Sequence, residues 1–177
     1  MNDKYLNELS KKIHSDNIAM GWYEGVVSIP TKLQLVSTEI AEATEGERKG
    51  LMDDHLPHRI MGEVELADAL IRVLDLGGYL GLEYEHMYLG MPSLSRGCPI
   101  AEQHLALNIL LTDFCKAYFI GSVKLSLLYS ALVSGILQVA KNKKYNIALA
   151  MSEKLAYNKQ RADHKLENRA KKNGKSF

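Results

Sequence analysis

Residues 63–76 read EVELADALIRVLDL, and this stretch determines the fold class. Its apolar positions recur every three or four residues, which is the spacing of one face of an α-helix. The positions that share this spacing are Val64, Ala67, Leu70, Ile71 and Leu74. The pattern predicts a helix over about 63–85. Gly77, Gly78 and Gly81 are expected to weaken its second half and to bend or end it.

Five further segments show helical periodicity on either side of this stretch. They cover about 3–15, 31–47, 101–119, 123–141 and 145–160. Thr31 is the expected N-cap of the second helix. Glycines or prolines mark the connections at 19–30, 46–62 and 86–99, and no alternating strand pattern stands out. The sequence therefore predicts a single all-α domain over 1–177, built as an antiparallel helical bundle.

Length and composition fit one globular domain with a real core. The chain has 177 residues, of which 46% are hydrophobic and 24% are charged. The N-terminus is polar and lacks the apolar region of a signal peptide. The most apolar stretch, 125–140, is shorter than a membrane-spanning helix requires, so no membrane contact is expected. Cys98 and Cys115 show no disulfide or metal-binding spacing, and two such thiols fit a cytoplasmic protein.

Charge is distributed unevenly, although the net charge is only +1. Residues 1–140 carry 11 basic and 18 acidic side chains, a balance of −7, whereas residues 141–177 carry 11 and 3, a balance of +8. An acidic body suits cations and a basic tail suits anions. Nucleic-acid binding by the tail is a competing interpretation.

Two pairs of carboxylates stand at helical spacing. Glu39 and Glu42 are three apart in the second helix, and Glu65 and Asp68 are three apart in the third, so each pair shares a face. If the two helices pack antiparallel, the four carboxylates converge, and their repulsion requires a cation among them. A hard divalent ion with oxygen ligands fits, and Mg²⁺ is the natural choice. The alternative is two amphipathic helices whose acids only face solvent.

Several charged residues near these pairs are assigned supporting positions. Arg72 is expected to pair with Asp68 or Asp75 and so to orient the ligands. The acids expected to face solvent are Glu45, Glu47 and Glu63.

A basic face near the C-terminus is the second candidate for ligand binding. Lys154, Asn158 and Arg161 fall at i, i+4 and i+7, and a cation, an amide and a guanidinium aligned in this way suit a polyphosphate. The same spacing fits a solvated basic helix end equally well. Trp22, the one tryptophan, lies in a loop, where its ring would either stack on a base or close over the core.

Together these motifs resemble the MazG-like nucleotide pyrophosphohydrolases of the all-α NTP pyrophosphatase superfamily. The resemblance is carried by the ExxE motif of Glu39 and Glu42, the ExxD motif of Glu65 and Asp68, and a KxxxNxxR tail. It covers about 19–85 and 150–177. The segment 86–149 is longer and more apolar than the resemblance leads us to expect, and it is interpreted as a helical insertion that adds an apolar helical pair.

The resemblance implies Mg²⁺-dependent hydrolysis of a nucleoside triphosphate to the monophosphate and pyrophosphate, in nucleotide-pool house-cleaning, with Mn²⁺ as a substitute ion. It also implies a homodimer or a tetramer. The implied metal ligands and catalytic groups are Glu39, Glu42, Glu65 and Asp68. The implied phosphate-binding residues are Lys154, Asn158 and Arg161, and Trp22 is the candidate for the base. The alternative function is a non-catalytic helical module that binds nucleic acid through its basic tail.

Overall fold

The protein is all-α in the computed structural model, which describes residues 1–161. Six α-helices follow one another, and a short 3₁₀ turn at Pro92–Leu94 precedes the fourth. Their bounds are α1 Asp3–Ala19, α2 Ile29–Lys49, α3 Met61–Leu80, α4 Ile100–Phe119, α5 Leu125–Lys143 and α6 Ile147–Gln160. Over residues 1–161 the only extended pairing is one isolated antiparallel bridge between Met52 and Ile60. The predicted all-α class is confirmed.

Helix α2 begins two residues earlier than the sequence pattern predicts. Ser28, not Thr31, is its N-cap, and the Ser28 Oγ accepts the backbone N–H of Thr31 at 3.3 Å. Pro30 fits the first turn of the helix, because proline lacks a backbone N–H and an N–H at this position has no acceptor within the helix. The helix ends at Gly50, which adopts a left-handed conformation with φ of 64°.

Helix α3 is the central element, and its glycines have a different role from the predicted one. The helix runs straight through Gly77 and Gly78 and ends before Gly81, several residues short of the predicted 85. A Cβ on Gly77 would lie 2.8 Å from Cε2 of Tyr129 in α5, and a Cβ on Gly78 would lie 2.8 Å from the Ser10 carbonyl oxygen in α1. The two glycines therefore allow α1 and α5 to approach α3 closely.

Helices α2 and α3 pack against each other in antiparallel orientation. At one end Gly46 of α2 contacts the start of α3, where a Cβ on Gly46 would lie 2.9 Å from the Gly62 nitrogen. At the other end Lys32 of α2 contacts Asp75 of α3 with 3.3 Å between Nζ and Oδ2. This orientation brings the two predicted carboxylate pairs to the same level of the groove between the helices.

The predicted apolar helical pair within 86–149 is present as α4 and α5, which pack against each other and join α3 in one hydrophobic core. The middle of α5 is buried, and Gly135 lets Leu110 of α4 approach it closely. Among the helices of residues 1–161, none combines the length and the apolarity that crossing a membrane would take.

Candidate metal centre

Three of the four predicted carboxylates meet in the groove between α2 and α3. Glu39, Glu42 and Glu65 each offer one carboxylate oxygen, and these oxygens lie within 4.8 Å of one another. Glu39 and Glu65 are each 6% exposed, whereas Glu42 is open to solvent. Oxygens this close on the floor of a groove with one open side have the donor chemistry of a site for a hard divalent cation.

The fourth carboxylate, Asp68, already has a cationic partner. The Lys154 ammonium nitrogen lies 2.9 Å from Oδ2 of Asp68, and Lys154 is only 2% exposed. Burial raises the pKa of Asp68, and the Lys154 ammonium opposes that rise. Lys154 was expected to hold phosphate, but in the structure it points into the protein and neutralises the last acid of the ExxD motif.

Arg72 makes an ion pair with an acid that the sequence pattern did not suggest. Its Nε lies 2.6 Å from Oε1 of Glu39 across the helix pair, so the predicted pairing of Arg72 with Asp68 or Asp75 is wrong. Asp75 instead contacts Lys32 and His14, each at 3.3 Å. The antiparallel packing of α2 brings Glu39 to the level of Arg72, and this cross-helix contact takes the place of one within α3.

The electrostatics of the cluster favour an added positive charge. Burial is the main reason that the pKa of Glu65 is raised to about 9; Lys154 acts in the opposite direction, and Asp68 and Glu39 add to the rise. Among residues 1–161, the cations that pair with these four carboxylates are Arg72 and Lys154. With every acid ionised, two negative charges remain uncompensated, which matches the charge of one divalent ion.

A second group of ligand-type side chains adjoins Lys154 and was missed by sequence reasoning. Asp53, Asp54 and His55, in the connection between α2 and α3, also bring one ligand atom each within 4.8 Å of the others. However, the Lys154 ammonium lies 3.3 Å from Nδ1 of His55, and this contact opposes a metal ion there. The adjacent Asp-Asp-His in the sequence was the available signal, but it did not reveal that α6 covers this connection.

The remaining predicted ligand residues lie around the C-terminal part of α6 and in the first loop. Asn158 is half-buried, and its Oδ1 has no hydrogen-bond partner among residues 1–161. Arg161 directly follows α6, with its guanidinium carbon 5.8 Å from the centre of the Tyr157 ring. Trp22 is half-buried between α1 and α2, and its backbone N–H donates to the Asn17 carbonyl at 3.0 Å.

Two of the three acids that were expected to face solvent are instead bonded inside the protein. Glu45 agrees with the prediction, since it forms surface ion pairs with cations of its own helix. Glu47 accepts hydrogen bonds from Lys143 and Tyr145. Glu63 is 8% exposed and accepts from the Arg59 guanidinium and from the Asn146 backbone N–H. The predictions for Glu47 and Glu63 are wrong because each acid has a partner that is distant in sequence, Lys143 for Glu47 and Asn146 for Glu63.

No protein-family model, no curated protein and no solved structure matches this chain. The resemblance to the MazG-like enzymes therefore rests on the motifs themselves and stays a prediction. The last part of the basic tail, 162–177, lies outside the described residues, so the structure says nothing about its predicted role.

Proposed function

We propose that the protein hydrolyses a nucleoside triphosphate to the monophosphate and pyrophosphate with the help of Mg²⁺. The observation that carries the proposal is the convergence of Glu39, Glu42 and Glu65 within 4.8 Å in a groove that is open at Glu42. The resemblance of the ExxE and ExxD motifs supplies the reaction. The proposal keeps the house-cleaning role and the homo-oligomer as expectations of that resemblance.

The donor set fits the proposed ion. Carboxylate oxygens are the protein ligands that Mg²⁺ prefers, and Mn²⁺ accepts the same set. When bound, Mg²⁺ supplies positive charge at phosphate oxygens and lowers the pKa of a bound water. The ion would be held by Glu39, Glu42 and Glu65, and Asp68 would join them if Lys154 released it.

The chain's own cations have positioning roles in this proposal. Arg72 contacts Oε1 of Glu39, which fixes the carboxylate and leaves Oε2 for the ion. Lys154 holds Asp68 in the same manner. Phosphate contacts are then assigned to Arg161 and Asn158, since Lys154 is buried against Asp68. Asn158 would contact a phosphate oxygen through its Nδ2 amide group, which donates, because its Oδ1 and the phosphate oxygens can only accept.

The decisive experiment is product analysis. The protein is incubated with Mg²⁺ and each of the common ribo- and deoxyribonucleoside triphosphates, and the products are separated by anion-exchange chromatography. Monophosphate and pyrophosphate in equal amounts are expected. Glu42→Gln should abolish turnover and keep the fold, because it removes one charge at an exposed position. Glu45→Gln is the matched control on the same helix, and it should keep full activity.

Release of orthophosphate, or no turnover with any triphosphate and either ion, would contradict the proposal. The charge balance of +8 over 141–177 favours one other function, namely nucleic-acid binding without catalysis. That function predicts salt-sensitive DNA or RNA binding that is lost on removing 160–177. It also predicts that Mg²⁺ with a non-hydrolysable triphosphate leaves the melting temperature unchanged, whereas the proposed hydrolase should be stabilised.

A further inference from the structure

The outer face of α4 carries a row of exposed residues, which we call the α4 stripe. Leu105, Ile109, Thr112, Lys116 and Phe119 follow the spacing of one helical face, and all five are exposed. Leu105 is 60%, Ile109 48% and Phe119 65% exposed. A shallow hollow lies along the same face between Leu105 and Lys116. Over residues 1–161, no other element of the chain packs across this face in the structure.

The stripe is separate from the face by which α4 joins the core. Leu107 and Phe114 on the inner side are fully buried, and Leu110 is 7% exposed. The inner face of α4 supplies the apolar side chains that pack in the core. The outer residues Leu105, Ile109 and Phe119 therefore do not contribute to the core. Apolar side chains on a second face of a helix indicate a second contact.

The apolar surface continues past the end of α4. Ile120 is 78% exposed, Val123 is 99% exposed in the connection to α5, and Leu127 is 51% exposed in the first turn of α5. At roughly 150 Å² for one fully exposed large side chain, the apolar residues of the stripe and this connection leave on the order of 600 Å² open. That area lies at the upper end of the size range of apolar patches on monomeric proteins. It approaches the roughly 800 Å² that each partner buries in a protein–protein interface of standard size.

We propose that a second copy of this chain covers the α4 stripe and that the two α4 helices pack antiparallel about a two-fold axis near Thr112. In this register Leu105 of one copy meets Phe119 of the other at both ends of the contact. An isologous contact needs a self-complementary surface. In this register the apolar ends meet, Thr112 meets its own copy, and Ile109 lies against the aliphatic stem of Lys116 of the other copy.

The charges at the middle of the stripe fit the same register. Asp113 and Lys116 lie close to the axis, and their pairing within one helix is loose, with 3.9 Å between Nζ and Oδ1. The antiparallel arrangement places each Lys116 within side-chain reach of Asp113 on the other copy. A parallel arrangement about the same residue would set Leu105 against Leu105 and would bring like charges together. The inference uses only α4 and its end, and it does not depend on the proposed hydrolysis.

The first test measures the mass of the full chain by analytical ultracentrifugation over a range of concentrations. A dimer is expected. Ile109→Lys should raise its dissociation constant about tenfold or more, because it sets a second ammonium beside Lys116 of the other copy in the antiparallel register. Ile18→Lys is the matched control, since Ile18 is an apolar residue of α1 that is 53% exposed, and the dimer should persist. Melting curves should show that both variants fold.

The second test reads the register with a short bismaleimide crosslinker in a Cys98→Ser, Cys115→Ser background. Thr112→Cys should crosslink to itself near the axis. Leu105→Cys should not, because its two copies lie about 21 Å apart in the antiparallel register. A mixture of Leu105→Cys and Phe119→Cys proteins should give the mixed dimer.

Three results would overturn the proposal. The first is a wild-type protein that stays monomeric at every concentration at which it is soluble. A monomer that binds anionic vesicles would also count against the proposal, because a membrane surface would then cover the stripe. The second is an Ile109→Lys dimer as tight as the wild type. The third is a crosslink of Leu105→Cys to itself. Since all readouts are mass and crosslinking, loss of the proposed hydrolase activity would not affect them.

Discussion

Replacing Lys154 by methionine tests whether this residue is a buried counter-ion or a phosphate ligand. Methionine has a similar length and no charge, so the change removes the ammonium and keeps most of the packing. In the structure that ammonium lies 2.9 Å from Oδ2 of Asp68, and Lys154 is 2% exposed. Its loss leaves Asp68 buried beside Glu39 and Glu65 with one positive charge fewer among them.

The expected cost follows from this burial. Breaking a buried ion pair by removing one partner typically destabilises a protein by 3–5 kcal/mol, and protonation of Asp68 limits the loss to about 3 kcal/mol here. For a chain of this size, such a loss lowers the melting temperature by roughly 6–12 °C in the presence of EDTA. Added Mg²⁺ should reduce the difference in melting temperature between the variant and the wild type, because Lys154→Met frees Asp68 to act as a further oxygen ligand.

The assay is a thermal melt of wild type and Lys154→Met, in EDTA and at several Mg²⁺ concentrations. Lys159→Met is the matched control, since Lys159 lies on the same helix with its side chain 49% exposed and pairs with Asp16 at the surface. Its effect should stay below about 1 kcal/mol. If Lys154→Met melts like the wild type in EDTA and loses only the stabilisation by a nucleotide, Lys154 is a phosphate ligand and the argument from burial fails.

Three further outcomes follow from the structure. Gly77→Ala should lower the free energy of unfolding in a denaturant melt by about 1–3 kcal/mol, because the added Cβ would collide with the buried ring of Tyr129. Gly90→Ala is the control, since a Cβ at Gly90 meets open space, and it should not change the free energy of unfolding measurably. Since the pKa of Glu65 is raised to about 9, Mg²⁺ added to metal-free protein near neutral pH should release protons that an indicator dye detects; no release would contradict the proposed site. Burial lowers the pKa of His104 to about 4, so His104 becomes protonated at a lower pH in the folded protein than in the unfolded chain. As the pH falls from 6.5 to 4, up to about 3 kcal/mol of the free energy of unfolding should therefore be lost. His104→Gln should flatten that part of the pH profile of unfolding.

The sequence was sufficient for the helices because their signals are local. The apolar spacing in 63–76 predicts α3, and the same periodicity predicts the other five helices with errors of a few residues at their ends. The juxtaposition of Glu39, Glu42 and Glu65 also follows from local rules, since the three-residue spacing sets the faces and a short connection sets the antiparallel return. Each step uses contacts between residues that are close in sequence or on consecutive helices.

The partners of the charged residues could not be predicted in this way. Glu63 is bonded to the Asn146 backbone and Glu47 to Lys143, each pair separated by more than 80 residues. Spacing along a helix identifies which residues share a face, but it does not identify the element that covers the face. Because α6 returns over α3, Lys154 is buried, although its spacing with Asn158 and Arg161 fits an exposed phosphate-binding face equally well.

This burial changes how the charge of the site is balanced. If Lys154 were free, Asp68 would join the other three acids, and only Arg72 would oppose four carboxylates. With Lys154 against Asp68 and Arg72 against Glu39, the acids of the cluster that no cation of residues 1–161 matches are Glu42 and Glu65, and one divalent ion would neutralise them. A triphosphate carries several negative charges of its own, and it cannot approach an acidic groove without cations between them. A second ion is therefore expected to bind together with the nucleotide and not before it. Mg²⁺ titration of the nucleotide-free protein should accordingly reveal one ion per chain, and two ions bound tightly before nucleotide is added would refute this division of charge.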